Sequence, residues 1–160
     1  NRMKEKKIFT FEDIKHKLVN YCVYQDRCHY EVDLKMREFM LIPEAKDEIL
    51  LYLMSENYLN EERFTRSYTR GKFYIKGWGK NKIKIALQKK DISDKLIKKS
   101  FEEINEEDYL EKINLLIEKN TEENSGLANF SKTQKIIKLL ITKGYEYDLI
   151  LKVLDENKHK

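Results

Sequence analysis

The sequence predicts an all-α protein of three tandem three-helix repeats, stacked into an elongated, curved body. Three observations carry that prediction. The chain has only 5 Gly and 1 Pro in 160 residues, against roughly 11 and 8 at average usage. Turns that need positive or fixed φ are therefore few, and Lys, Glu, Leu and Ile favour helices with short connections. Apolar residues recur at helical spacing between capping residues, and the chain matches itself at offsets of about 50 residues.

The elements follow in order from their start and stop signals. Thr10, Asn60, Ser93, Asn105 and Ser131 are oxygen-bearing residues of the kind that accept from a first-turn N–H. Ser131 with Gln134 has the form of a capping box. Acids follow Asn60 (Glu61, Glu62) and Asn105 (Glu106, Glu107, Asp108), where the helix dipole favours negative charge. Gly144 and Gly77-Trp78-Gly79 read as stops or turns. These signals predict helices over 11–25, 29–40, 43–57, 61–76, 80–90, 94–104, 106–120, 132–143 and 146–156. The stretch 121–130 reads as an exposed, mobile loop.

Shifted by 53 residues, Ile83, Leu87, Ile92, Leu96, Ile97 and Phe101 meet Ile136, Leu140, Tyr145, Leu149, Ile150 and Leu154. Shifted back by 51, Met36, Leu41, Leu50 and Leu53 meet Leu87, Ile92, Phe101 and Ile104. Met40, Asp91 and Gly144 mark the equivalent turn. The predicted units are 1–58 with an N-terminal extension, a basic unit at 59–104, and 105–160 with a C-terminal tail. Each needs its neighbours to bury an apolar face.

Charge is segregated along the chain. From Arg63 to Lys90 there are ten basic residues and no acid, whereas the other 22 basic residues are outnumbered by 28 acids. The ten are Arg63, Arg66, Arg70, Lys72, Lys76, Lys80, Lys82, Lys84, Lys89 and Lys90. At 100° per residue, Phe64, Tyr68, Gly71 and Ile75 fall on one face of the fourth helix, the expected buried stripe. Arg63, Arg66, Arg70 and Phe73 fall opposite. In the fifth helix Ile83, Ala86 and Leu87 make the core face, with Lys82, Ile85 and Lys89 outward. Trp78, flanked by glycines and cations, is read either as an anchor between helices or as a stacking platform. Basic side chains interleaved with aromatics suit a nucleic-acid backbone with stacked bases. The blander reading is a solvated charged face. Phe73, Tyr74, Trp78 and Ile85 beside the charges suit a protein partner, which uses such side chains as anchors.

Other function classes lack support. Cys22, Cys28 and His29 have no paired C-x-x-C spacing, so no metal is expected. No phosphate-binding glycine motif occurs, and no cofactor or catalytic residue is assigned. Glu102, Glu103, Glu106, Glu107, Asp108 and Glu111 read as a solvated helix junction. No apolar run approaches a membrane span, and two cysteines make no disulfide framework. The expectation is a non-enzymatic, cytoplasmic, monomeric protein without membrane contact.

Asn60-Glu61-Glu62-Arg63-Phe64, then Gly71-Lys72-Phe73, Trp78-Gly79 and Asn81-Lys82-Ile83 resemble the central signature of RecX regulatory proteins. Arg27-Cys28-His29-Tyr30-Glu31-Val32 with Lys35-Met36 is similar to that family's first-repeat motif. Leu139 to Tyr145 with Leu149-Ile150 is similar to its third. The resemblance covers about 11–156. It implies three tandem three-helix repeats, binding in the groove of the RecA filament, and inhibition of RecA's recombinase and ATPase activities. Contact with single-stranded or filament-bound DNA goes with it. The alternative is a helical nucleic-acid-binding module that acts through the basic face without RecA. Cys28 stands where the family often has Ser, and Met40 and Asp91 replace turn glycines, departures that touch helix ends.

Overall fold

The computed structural model describes residues 8–159, and every regular element among them is helical. The order is α1 (Phe11–Tyr24), α2 (His29–Met36), α3 (Pro43–Ser55), α4 (Glu61–Tyr74), α5 (Lys80–Gln88), α6 (Asp94–Ser100), a 3₁₀ turn (Phe101–Glu103), α7 (Glu106–Glu123), α8 (Asn129–Thr142) and α9 (Tyr147–Lys158). These divide into two compact units, one ending at Phe64 and one beginning at Thr65. The division falls inside α4.

In the first unit, α1 packs against both α2 and α3. Ile14, Leu18 and Cys22 of α1 meet Val32, Met36, Ile49, Leu53 and Leu59 in one core, following the i, i+4 spacing of a single helix face. Thr10 forms the capping box that starts α1. Its hydroxyl accepts from Asp13 N–H, and its own N–H donates to the Asp13 carboxylate, both at 3.1 Å. Cys28 precedes α2, and its N–H donates to the Glu31 carboxylate at 3.3 Å. Pro43 opens α3, where a missing N–H costs nothing. Asn57, at φ 58, closes α3.

In the second unit, α7, α8 and α9 all pack on one another, and α5 packs on α6. The internal match is visible in burial. Ile83, Leu87, Ile92 and Ile97 are buried, as are their counterparts Ile136, Leu140, Tyr145 and Ile150. The turn equivalence holds for two of three members. Asp91 (φ 59) and Gly144 (φ 101) are both left-handed, whereas Met40 does not have positive φ and is fully exposed.

Several boundaries differ from expectation: α2 stops at Met36 and α6 at Ser100, each four residues early, and α7 and α8 extend toward each other. The connection after α7 is not a ten-residue loop, since α7 runs to Glu123 and α8 begins at Asn129. Ser131 therefore lies in the first turn of α8, and Ala128 occupies the N-cap. The side chains of Asn120, Thr121 and Asn124 donate to carbonyls four residues back along the last turns of α7.

Burial sets an alkaline limit on this fold. It pushes the Cys22 thiol up from 9.0 to about 11, and it also raises the Tyr109 and Tyr145 hydroxyls. The unfolded thiol ionises first, so the stabilisation is complete below 9.0 and is lost as pH rises through about 11. The urea midpoint should fall across that window, and Cys22→Ala should lessen the fall. A midpoint independent of alkaline pH contradicts the assignment.

Candidate functional site around Trp78

The α4–α5 connection is built by backbone contact with the α8–α9 turn. Gly77, at φ 70, ends α4, and Trp78 N–H donates to Lys72 C=O at 2.9 Å. Gly79 N–H then donates to Lys143 C=O at 2.8 Å, and Asn81 N–H to Gly144 C=O at 2.9 Å. The fit leaves no room for side chains. A Cβ on Gly79 would stand 2.3 Å from the Gly144 carbonyl carbon, and one on Gly144 would stand 2.3 Å from Lys82 Cβ.

Aromatic residues brace this connection from beneath. Phe73, Tyr109 and Tyr145 form a stack with centroid separations of 5.5 and 5.3 Å. Tyr145 hydroxyl donates to Gly77 C=O at 2.8 Å. Tyr109 hydroxyl donates to the Glu146 carboxylate and accepts Lys80 N–H at 3.1 Å. Burial, then the Glu146 carboxylate, hold the Tyr109 hydroxyl in its protonated form. Tyr109→Phe strands two polar partners and should cost about 1–3 kcal/mol in urea unfolding. An unchanged midpoint would remove Tyr109 from the brace.

Trp78 is half-buried between cations. Lys72 Nζ lies 4.6 Å and Lys82 Nζ 4.5 Å from its ring centroid. Beside it a groove of about 350 Å³ is lined by Trp78, Asn81, Lys82, Ile85, Ala86, Lys89, Ile141, Thr142 and Gly144. Thus Trp78 is wedged against packed backbone on one side and reaches a concave surface on the other.

The predicted basic residues do not all share one environment. Arg63, in the first unit, bonds to Asp26 at 2.8 Å and to the carbonyls of Asn57 and Tyr58. In the second unit, Arg66 pairs with Glu102 at 3.2 Å and with Glu103 at 3.4 Å, and Arg70 pairs with Glu103 at 3.3 Å. Lys80 lies 3.9 Å from Glu106 and over the Tyr109 ring. The acids of the 3₁₀ turn, read from sequence as a solvated junction, thus sit against the basic run 36 residues earlier. Among the described residues Lys72, Lys76, Lys82, Lys84 and Lys89 have no carboxylate partner.

The helical phase assigned to α4 is corrected. Phe64 is buried as expected, but the stripe continues through Thr65, Thr69 and Phe73, with Phe73 only 3% exposed and Ile75 81% exposed. Threonine reads as polar in a hydropathy pattern, yet Thr69 buries its methyl and shares a 2.7 Å hydrogen bond with the buried Ser100 hydroxyl. Phe73 is therefore a core residue of the aromatic stack. Tyr74 is half-exposed, but its hydroxyl donates to Asp108 at 2.7 Å and accepts Asn105 N–H at 3.2 Å. Sequence reasoning missed Tyr109 and Glu146, and read Glu102 and Glu103 as solvated only, because their partners are all long-range. No group of metal-ligating side chains occurs among the described residues, and no described helix is long and apolar enough to cross a membrane.

Comparisons with known proteins extend this geometry. The family model described as "RecX, second three-helix domain" matches residues 60–100, which include α4, α5, α6 and Trp78. "Regulatory protein RecX" of Bacillus cereus (strain AH820) is 27% identical over 140 residues. The protein of the same name from Bacillus anthracis (strain CDC 684 / NRRL 3495) matches equally. The alignment covers 88% of this chain and 52% of each relative, so the chain spans about half their length. The crystal structure of RecX from Lactobacillus salivarius superposes with a TM-score of 0.86 at 27% identity, covering 94% of this chain and 97% of that one. A second solved structure, of a regulatory protein RecX, shares the fold at 21% identity and a TM-score of 0.78.

Proposed function

We propose that this chain is a RecX-type regulatory protein that binds the RecA filament on DNA and inhibits RecA's recombinase and ATPase activities. The observation that carries this reading is the surface around Trp78. Five lysines with no carboxylate partner among the described residues, Lys72, Lys76, Lys82, Lys84 and Lys89, lie in the α4–α5 segment that forms one side of an apolar groove. Cations alone serve a polyanion. Cations beside exposed apolar side chains serve a protein that carries one. On this reading the chain is a non-enzymatic, cytoplasmic monomer, organised as units 1–58, 59–104 and 105–160. It holds the filament through the second unit.

A second reading is a helical module that binds nucleic acid without RecA, favoured by the same lysines. The two separate in one paired assay. RecA's DNA-dependent ATPase is measured on single-stranded DNA as the protein is titrated, beside binding to the same DNA alone. A regulator suppresses ATPase at concentrations that barely occupy bare DNA. If ATPase is unchanged and bare DNA is bound tightly, the filament reading fails. Should the five lysines each neutralise one phosphate of a single strand, the log–log salt slope is about −3.5. A flat salt response leaves the contact to protein surfaces.

A further inference from the structure

Unlike three other concavities of this unit, the groove beside Trp78 is charged by cations alone. The cavity among α7, α8 and α9 contains Glu118 and Glu122 with its lysines. Asp108 and Glu111 line the cleft by Tyr74, and Glu107, Glu111 and Glu118 line the groove along α7. Beside Trp78 the charges are Lys82 and Lys89, with no carboxylate, and the apolar walls are Ile85 and Ile141. Those two isoleucines are 53% and 47% exposed. Exposed apolar walls at a concave site gain free energy only when an apolar group displaces their water.

Stacked bases fit this place poorly. Two ammonium groups already lie over the indole, at 4.6 and 4.5 Å from its centroid. They occupy π-surface that a nucleobase would need. A sugar-phosphate backbone would satisfy the lysines and leave Ile85 and Ile141 against hydrated, charged groups. The geometry points to a protein segment as occupant: a short peptide with one large apolar side chain flanked by carboxylates. The apolar side chain enters between Ile85 and Ile141, and the carboxylates meet Lys82 and Lys89. The groove is also preorganised. Its floor is pinned by the Gly79–Lys143 and Asn81–Gly144 backbone hydrogen bonds, so little ordering opposes binding. This assignment deepens the filament-regulator reading by naming the partner chemistry, and rests on that reading only for which protein supplies the segment.

Trp78 is the chain's single tryptophan, so its fluorescence reports this groove in the intact protein. The probe is a blocked peptide with a central Leu between Glu and Asp residues, titrated to millimolar concentration without RecA. Controls are the same peptide with Ser in place of Leu, and oligo(dT) of equal charge. We expect a saturable Trp78 response to the Leu peptide. Ile85→Asp or Lys89→Glu should weaken it by at least about tenfold, the scale of losing one anchor. Both positions are exposed, so both variants keep the fold. Equal responses to the Leu and Ser peptides, a response to oligo(dT) alone, or a response to protein concentration alone overturns the assignment. So does silence to every probe. Because RecA is absent, failure here leaves the ATPase result standing, and failure of the ATPase assay leaves the groove standing.

Discussion

Gly79→Ala should destabilise the second unit by about 4 kcal/mol, in the rare tail of single substitutions. The added Cβ would fall 2.3 Å from the Gly144 carbonyl carbon, 2.4 Å from Tyr145 N and 2.5 Å from Gly144 O. All three are backbone atoms, so no side-chain rotation relieves the overlap. Relief requires the α4–α5 connection to separate from the α8–α9 turn. That movement breaks the 2.8 Å bond from Gly79 N–H to Lys143 C=O and the 2.9 Å bond from Asn81 N–H to Gly144 C=O. Gly144→Ala should be comparably severe, since its Cβ meets Lys82 Cβ at 2.3 Å and its φ of 101 disfavours any side chain. A midpoint fall of roughly 8–16 °C in thermal unfolding follows for a chain of this size. Gly71 is the internal control. Nothing lies within 4 Å of a Cβ there, and it sits inside α4, so Gly71→Ala should stabilise by about 0.5–1 kcal/mol. If Gly79→Ala and Gly71→Ala behave alike, close backbone packing does not hold the Trp78 connection.

Those glycines show where the sequence is legible and where it is not. Thr10, Asn60, Ser93 and Asn105 cap their helices as read, because an N-cap bond spans three residues and is written locally. The 53-residue offset correctly pairs Asp91 with Gly144, since both turns demand a left-handed residue. Gly79 is different: the glycine marks a turn, but its closest neighbour is 65 positions away. The same limit explains α4. Thr65 and Thr69 are buried there because Ser100 supplies the Thr69 hydroxyl with a partner, and no helical wheel contains Ser100. It also explains the charges. A run of ten cations is visible in the sequence, yet the pairing of Arg66 and Arg70 depends on a 3₁₀ turn that brings Glu102 and Glu103 back to them.

Substituting those two acids should therefore strengthen polyanion binding, and reversing the free lysines should nearly abolish it. In the folded chain Glu103 bridges both guanidiniums, and Glu102 takes a second edge of Arg66. A phosphate that approaches Arg66 or Arg70 must displace a carboxylate first. Glu102→Gln with Glu103→Gln removes that competition and two negative charges. These pairs are partly exposed and worth under about 1 kcal/mol each, so the fold should tolerate the change. If both guanidiniums then engage phosphates of a single strand, the salt slope steepens by about 1.4. Reversal of Lys76, Lys84 and Lys89 to Glu acts on the opposite side of the balance. All three are exposed and have no carboxylate partner among the described residues, so structural damage should be small. Loss of three phosphate contacts flattens the slope by about 2.1, and added repulsion should weaken binding at low salt by more than about a hundredfold. The triple reversal should also raise the concentration needed to suppress RecA's ATPase. Inhibition that survives the lysine reversal but disappears on reversal of Arg66 and Arg70 would transfer the contact to the arginine–glutamate cluster. The test for that transfer is the charge swap, Arg66→Glu and Arg70→Glu with Glu102→Lys and Glu103→Lys. It restores the ion pairs with inverted polarity, so recovery of the fold without recovery of inhibition assigns the arginines a direct contact, and recovery of both leaves them a structural one.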